Sequence, residues 1–236
     1  PGLNLLKPRL AEGKRVPVLC EASGLLTDYV QKTINERLEW VKQHHTDEDA
    51  KIDNFLKIYT DARKAALDIR LVIKGAPFEK NGKIDRLVDK VYSHWLQDAD
   101  DRGTQLIFSD LGPPKSETDM AKRAEARMDA AATAADVTEE EEGIAQESVQ
   151  EEDEALTPEE QREMSSLYDD IRKRLIAKGI PAEQIAIIHD AKTPDQRRNL
   201  FAAMNRGDVR IMIGTTAKMG AGMNVQDRLV ALHDLD

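Results

Sequence analysis

The chain has 236 residues, 40% of them hydrophobic and 33% charged, with a formal net charge of −10. It is long enough for one large domain or two small ones, has no unbroken apolar run near the ~18 residues of a membrane-spanning helix, and lacks the apolar core of a secretory signal in residues 1–14. One cysteine, Cys20, excludes an internal disulfide. We therefore expect a cytoplasmic globular protein, with Cys20 a small buried residue rather than a nucleophile. The acidity is local: residues 137–160 carry eleven acidic groups and no basic ones. The rest of the chain is nearly neutral, and its field remains compatible with an anionic ligand.

Residues 16–22, VPVLCEA, read as a first strand in an irregular entry. Leu26, Tyr29, Val30, Ile34, Leu38 and Val41 recur at three- and four-residue steps and predict a helix over 26–45. Residues 52–73 are rich in helix formers and predict a second helix, ended by Gly75 and Pro77. A third, 83–97, places Ile84, Leu87, Val88, Val91, Tyr92, Trp95 and Leu96 on one face, read as core. The pattern then changes. TQLIFSD, 104–110, is a short apolar run between turn residues and predicts a buried strand. An alanine-rich helix over 116–136 and the acidic tract together form an insertion, about 116–163. Helix 164–178, strand 185–189, a helix opened by Thr193 and Pro194 and closed by Gly207, and strands 209–214 and 229–235 complete the order.

Strands alternating with helices predict an α/β fold, a parallel sheet with flanking helices, over 101–236. Residues 1–100 form a mainly helical lead-in. Ligands of such sheets gather at the carboxyl ends of strands, where the sequence puts Ser109-Asp110, His189-Asp190 and Thr215-Thr216. Two readings of the loop 214–226 stand open. Hydroxyls and backbone N–H groups can cradle phosphate, glycines admit a ligand, and Asn224 and Gln226 can meet a ribose or base; alternatively, the glycines only serve the turns of a long connection. A dinucleotide fingerprint fails, because residue 225 is valine and a strand follows instead of a helix.

The motifs TQLIFSD, IHDAKTPDQRRNLFAAMNRGDVRIMIGTT and TTAKMGAGMNVQ, in this order, resemble the second RecA-like lobe of superfamily-two helicases of the Swi/Snf type. More specifically, the chain resembles large helicase-like proteins of phages and mobile elements that are described as DNA methylases or are fused to adenine methyltransferase domains. The resemblance covers 104–114 and 165–236, and extends to 53–72. It implies that Ser109, Asp110, Arg197, Thr215, Thr216 and Lys218 line a nucleic-acid track, with Thr216 on a phosphate. It also implies that Gly220, Gly222, Asn224 and Gln226 serve the nucleotide, with Asn224 at the ribose. Pro194 stands where relatives of this family carry glutamine. Implied partners are DNA, a first RecA-like lobe and a methyltransferase domain; the implied cofactor is ATP, with magnesium held by the first lobe.

The phosphate loop G-x-x-x-x-G-K-[ST], an Asp-Glu-x-His motif and the family's arginine motif are all missing from this sequence. The chain alone is therefore expected not to hydrolyse ATP. The alternatives are a non-catalytic assembly module of a methyltransferase or restriction-type complex, and a small-molecule enzyme, which the failed fingerprint disfavours. His44-His45 read as a solvated helix end rather than metal ligands, Glu139–Glu142 as a solvated tract, and His189 and His233 as structural. Arg172, Lys173, Arg174 and Lys178 form a basic stripe, read equally as a phosphate track or a solvated face.

Overall fold

The computed structural model describes residues 13–44, 46–112, 166–220 and 223–236. The helix predicted over 116–136 and the acidic tract lie outside them. Residues 16–22 join no sheet: Val16, Val18 and Leu19 are solvent-exposed and Cys20 is half-buried rather than buried. Pro17 lacks the N–H that a strand ladder needs, and apolar composition alone supplied no partner.

The first predicted helix is continuous but not uniform. Helix α1 (Gly24–Tyr29) runs through a π-helical turn (Val30–Ile34) into α2 (Asn35–Gln43). His44 closes α2, its Nδ1 2.8 Å from the Trp40 carbonyl and its ring stacked on the indole. The second predicted helix breaks twice. Helix α3 (Asp47–Ile52) stops before Asp53, and α4 (Phe55–Leu67) stops before Asp68, which starts a 3-10 turn over Ile69–Leu71. Short polar side chains satisfy backbone groups locally and compete with the helix. Asn54 Oδ1 accepts from the Lys57 amide at 3.0 Å, and Asp68 Oδ1 accepts from the Arg70 amide at 3.0 Å. Asp53 is also held bidentately by Arg37, at 2.6 and 2.9 Å. Ile34, Val41 and Ile58 form the small core of this helical segment.

Helix α5 (Lys83–Gln97) has the predicted bounds. Strands β1 (Thr104–Phe108), β2 (Ile185–Ile187), β3 (Ile211–Gly214) and β4 (Leu229–Asp234) form one four-stranded parallel sheet in the order β2-β3-β1-β4. The helices between them are α6 (Leu167–Ala177), α7 (Pro194–Arg206) and α8 (Thr216–Met219). The α7 ends form as the sequence predicts. Thr193 and Gln196 make a capping box, Pro194 takes the first turn, and Gly207 closes the helix at φ +77°.

Period-two alternation sorts the strand residues between two cores. Ile107, Ile185, Ile187, Ile211 and Ile213 pack with α5 and α6. Leu106 and Met212 pack with Met204, Met219 and Val225 on the other face. Helix α5, which the sequence groups with the lead-in, thus shares the sheet's own core, as does Leu67. Arg70 completes the joint, donating to Asp68 at 2.6 Å and to Asp170 of α6 at 2.8 Å. No helix among the described residues is long and apolar enough to cross a membrane.

A buried amide links the sheet to α5. Gln105 is fully buried; its Nε2 donates to the Val91 carbonyl at 3.0 Å, which leaves Oε1 to accept from His233 Nε2 at 2.9 Å. That bond requires a proton on Nε2; what holds the ring neutral is its surroundings. Burial, with the His94 charge adding to it, pushes His233 down to about 4. As pH falls below the ordinary histidine range, the unfolded chain gains a proton that the folded chain refuses. We expect this group to withdraw about 2–3 kcal/mol of stability between about pH 7 and pH 4.5. Urea unfolding at the two pH values checks it: His233→Gln should flatten the slope by that amount.

Candidate functional site

The ends of β1, β3 and β4 lie side by side, and carboxylates tie them together. Ser109 continues the β1–β3 ladder by donating its amide to the Gly214 carbonyl at 3.0 Å. Its hydroxyl has two acceptors for one proton, the Leu111 carbonyl at 2.8 Å and Asp236 Oδ1 at 3.0 Å. Tyr168 donates its phenol to the Ser109 carbonyl. Ser109 is only 1% exposed. In this arrangement its hydroxyl therefore faces the protein interior, where the resemblance had it lining a nucleic-acid track.

Asp110 is exposed. Its amide donates to the Asp236 carboxylate, and the Leu111 amide does the same at 2.8 Å. Its own Oδ1 accepts from the Thr216 amide at 2.8 Å. The amide that opens α8 is therefore already satisfied by a carboxylate, a favourable match for that partial positive charge.

Past β3, Thr215 is half-buried in extended conformation with no side-chain capping bond, and α8 exposes Thr216, Ala217 and Lys218. Met219 is buried beneath them and anchors the loop. The glycines now divide. A Cβ on Gly220 would meet the Thr216 carbonyl at 2.5 Å, and one on Gly214 would meet Ile188 Cγ2 at 2.3 Å. Both are explained by close approach within the protein. Gly222 lies outside the described residues.

Asn224 and Gln226 flank buried Val225 with exposed side chains that make no hydrogen bond among the described residues. Their backbone is fixed by Asn205 of α7, whose Nδ2 donates to the Asn224 carbonyl at 2.7 Å, while Arg228 Nε donates to the Asn205 carbonyl at 3.1 Å. Arg197 sits apart: half-buried, it donates Nε to the Ala191 carbonyl at 3.2 Å and steadies the turn after β2. Among the described residues no hydrogen bond or ion pair joins it to the loop after β3.

His189 borders this region. Its Nδ1 is buried without a hydrogen-bond partner among the described residues, and its ring meets Tyr168 edge-on at 5.6 Å. Burial, then the Lys218 charge, lower its pKa. The basic stripe on α6 is halved: Arg174 pairs with Asp170 at 2.9 Å and covers the Phe78 ring, and Lys178 pairs with Asp89. A shallow open groove follows β2, lined by Arg172, Glu183, Ala186, Asp190 and Gln196; it includes the strand-end candidate Asp190 and Arg172 of the basic stripe, and none of the residues assigned to the nucleic-acid track or the nucleotide. Among the described residues no group of three or more His, Cys, Asp or Glu side chains could hold a metal ion.

Thr215, Thr216, Lys218 and Gly220 thus share one loop, joined to Asp110 and bordered by Asn224 and Gln226. Ser109 lies beneath it and Arg197 beside a different turn. Tyr168 and Asp236, which organise the loops together with Asn205, carry no motif that would single them out. Asn205 did stand within a quoted motif, but nothing local showed that it would reach across to residue 224. Comparison with known proteins finds no matching family model, no matching curated protein and no matching solved structure.

Proposed function

We propose that this chain is the second, RecA-like lobe of an ATP-dependent DNA helicase or translocase, part of a larger helicase/DNA-methylase protein, and that it is inactive as an ATPase alone. The observation that carries this reading is the parallel β2-β3-β1-β4 sheet with an exposed polar loop at the end of β3, tied to the end of β1. Carboxyl ends of adjacent parallel strands are where such folds hold ligands. The side chains of Thr216 and Lys218 are exposed, where they can meet phosphates, and Asn224 and Gln226 offer amides to a nucleotide. ATP would lie between this lobe and a first lobe, which would hold the magnesium ion. Nucleotide-driven closure would then shift one lobe against the other along DNA gripped by its backbone.

The test is oligonucleotide binding by the chain across a salt series. We expect weak binding that falls steeply with salt, and Lys218→Ala should reduce the slope by about one counterion. Tight, salt-insensitive binding, or none even at low salt, would sink the reading. A specific observation keeps the assembly-module alternative: Ile52, Phe55, Leu56 and Tyr59 expose an apolar stripe along α3 and α4. Under that alternative Lys218→Ala is silent, and Leu56→Asp breaks association with the larger complex.

A further inference from the structure

The geometry points to Asp236 as a positioning residue of the candidate site: its carboxylate fixes the turn after β1, and Asp110 passes that constraint to the loop after β3. Both Asp236 oxygens are used. Oδ2 accepts from the amides of Asp110 and Leu111, and Oδ1 lies 3.0 Å from the Ser109 hydroxyl. Two consecutive amides and a hydroxyl converge on one carboxylate, the arrangement of a small anion-holding nest. With its backbone so held, Asp110 directs Oδ1 to the Thr216 amide at 2.8 Å. Tyr168 clamps the same turn from below, through the Ser109 carbonyl. Burial and the charges of Asp110 and Asp236 raise the Tyr168 pKa, which keeps the phenol neutral and able to donate.

The relay therefore runs from the end of β4, through the turn after β1, to the first residue of α8. None of the hydrogen bonds of Asp236 goes to Thr216 itself. The inference takes its purpose from the nucleic-acid reading, since Thr216 is the residue expected to meet phosphate; its geometry stands without that reading.

The experiment is residue-resolved amide hydrogen exchange on the full chain and on Asp236→Ala, Asp236→Asn, Asp110→Ala and the double alanine variant. In Asp236→Ala the Thr216 amide is expected to exchange about tenfold faster, while Ile187 and Met204 keep their rates. Asp236→Asn retains an acceptor oxygen and should recover part of the protection; it also carries the test if the alanine variant fails to fold. Asp110→Ala should match the effect at Thr216 while leaving Leu111 protected. The double variant should be no faster at Thr216 than Asp110→Ala, because both substitutions cut one path. An unchanged Thr216 rate in Asp236→Ala, additive effects in the double variant, or equal acceleration at Ile187 and Met204 would overturn the proposal. Oligonucleotide binding, measured in parallel, separates the two readings. If Thr216 responds and no chain binds DNA, the relay stands and the nucleic-acid reading falls.

Discussion

Arg210→Ala is expected to lower the unfolding free energy by about 3 kcal/mol, the largest single loss we expect outside the apolar core. Arg210 is 3% exposed and opens β3. Its Nε donates to the Gly103 carbonyl at 3.0 Å, and its Nη2 donates to the carbonyls of Trp95 and Asp98 at 2.9 and 3.0 Å. The guanidinium also lies over the Trp95 ring, 5.3 Å from its centroid. Trp95 and Asp98 end α5, where unpaired carbonyls gather the negative end of the helix dipole. No carboxylate pairs with this cation among the described residues, and burial lowers its pKa. The group stays charged nonetheless, because the ordinary arginine value is so high. Removing it takes a charged donor from three carbonyls; the Asp98 carbonyl keeps the Gly103 amide at 3.0 Å, and those of Trp95 and Gly103 lose this partner. A shift of the urea midpoint at unchanged slope would check the expectation. Arg210→Lys should recover only part, since one ammonium cannot reproduce the fork. An alanine variant as stable as the unaltered chain would show that water or neighbouring donors replace it.

Gly214→Ala is expected to cost about 2–3 kcal/mol and to disturb the candidate site as well. The added Cβ would sit 2.3 Å from Ile188 Cγ2 and 2.8 Å from Met219 Sδ, both on buried side chains. The methionine end can move, but Ile188 lies in a tight 3-10 turn and has less freedom. Met219 anchors α8, so its displacement should reach Thr216 and Lys218. The measurement is again denaturant unfolding, paired with amide exchange across 215–220. Loss of stability with an undisturbed loop would mean that Ile188 alone absorbs the strain. Ala217→Gly, on the exposed side of the same short helix, should give a far smaller loss by both readouts.

These two residues illustrate what could be read in advance. Gly214 opened a glycine-bearing loop, and its chemistry suggested approach to a ligand; the fold shows instead approach of Ile188 and Met219. Arg210 stood inside the apolar run VRIMIG and gave no sign that it would staple a helix end. The site itself was half legible. Thr215, Thr216, Lys218 and Gly220 do lie on one loop beside Asp110, because a parallel sheet puts the ends of adjacent strands together. Ser109 and Arg197 took other places, since burial of the β1 end and packing of α7 are decided by neighbours distant in sequence.

The sequence by itself determined the elements whose causes are local. Helix α5 follows from its apolar spacing, α7 from Thr193, Pro194 and Gly207, and the four strands from short apolar runs between turn residues. The helix signals act over a few residues and need no partner, whereas an apolar run becomes a strand only where a neighbour pairs it, as the four strands do and 16–22 does not. The tertiary structure alone decided the order β2-β3-β1-β4 and left 16–22 without a strand partner, whereas the breaks after Ile52 and Leu67 have local causes in Asn54 and Asp68. The tertiary structure also decided the carboxylate ties: Asp236 reaches Ser109 across 127 positions, and Asp110 reaches Thr216 across 106. Hydrogen bonds between loop ends depend on where strands lie in space, and that is set by burial of both sheet faces at once.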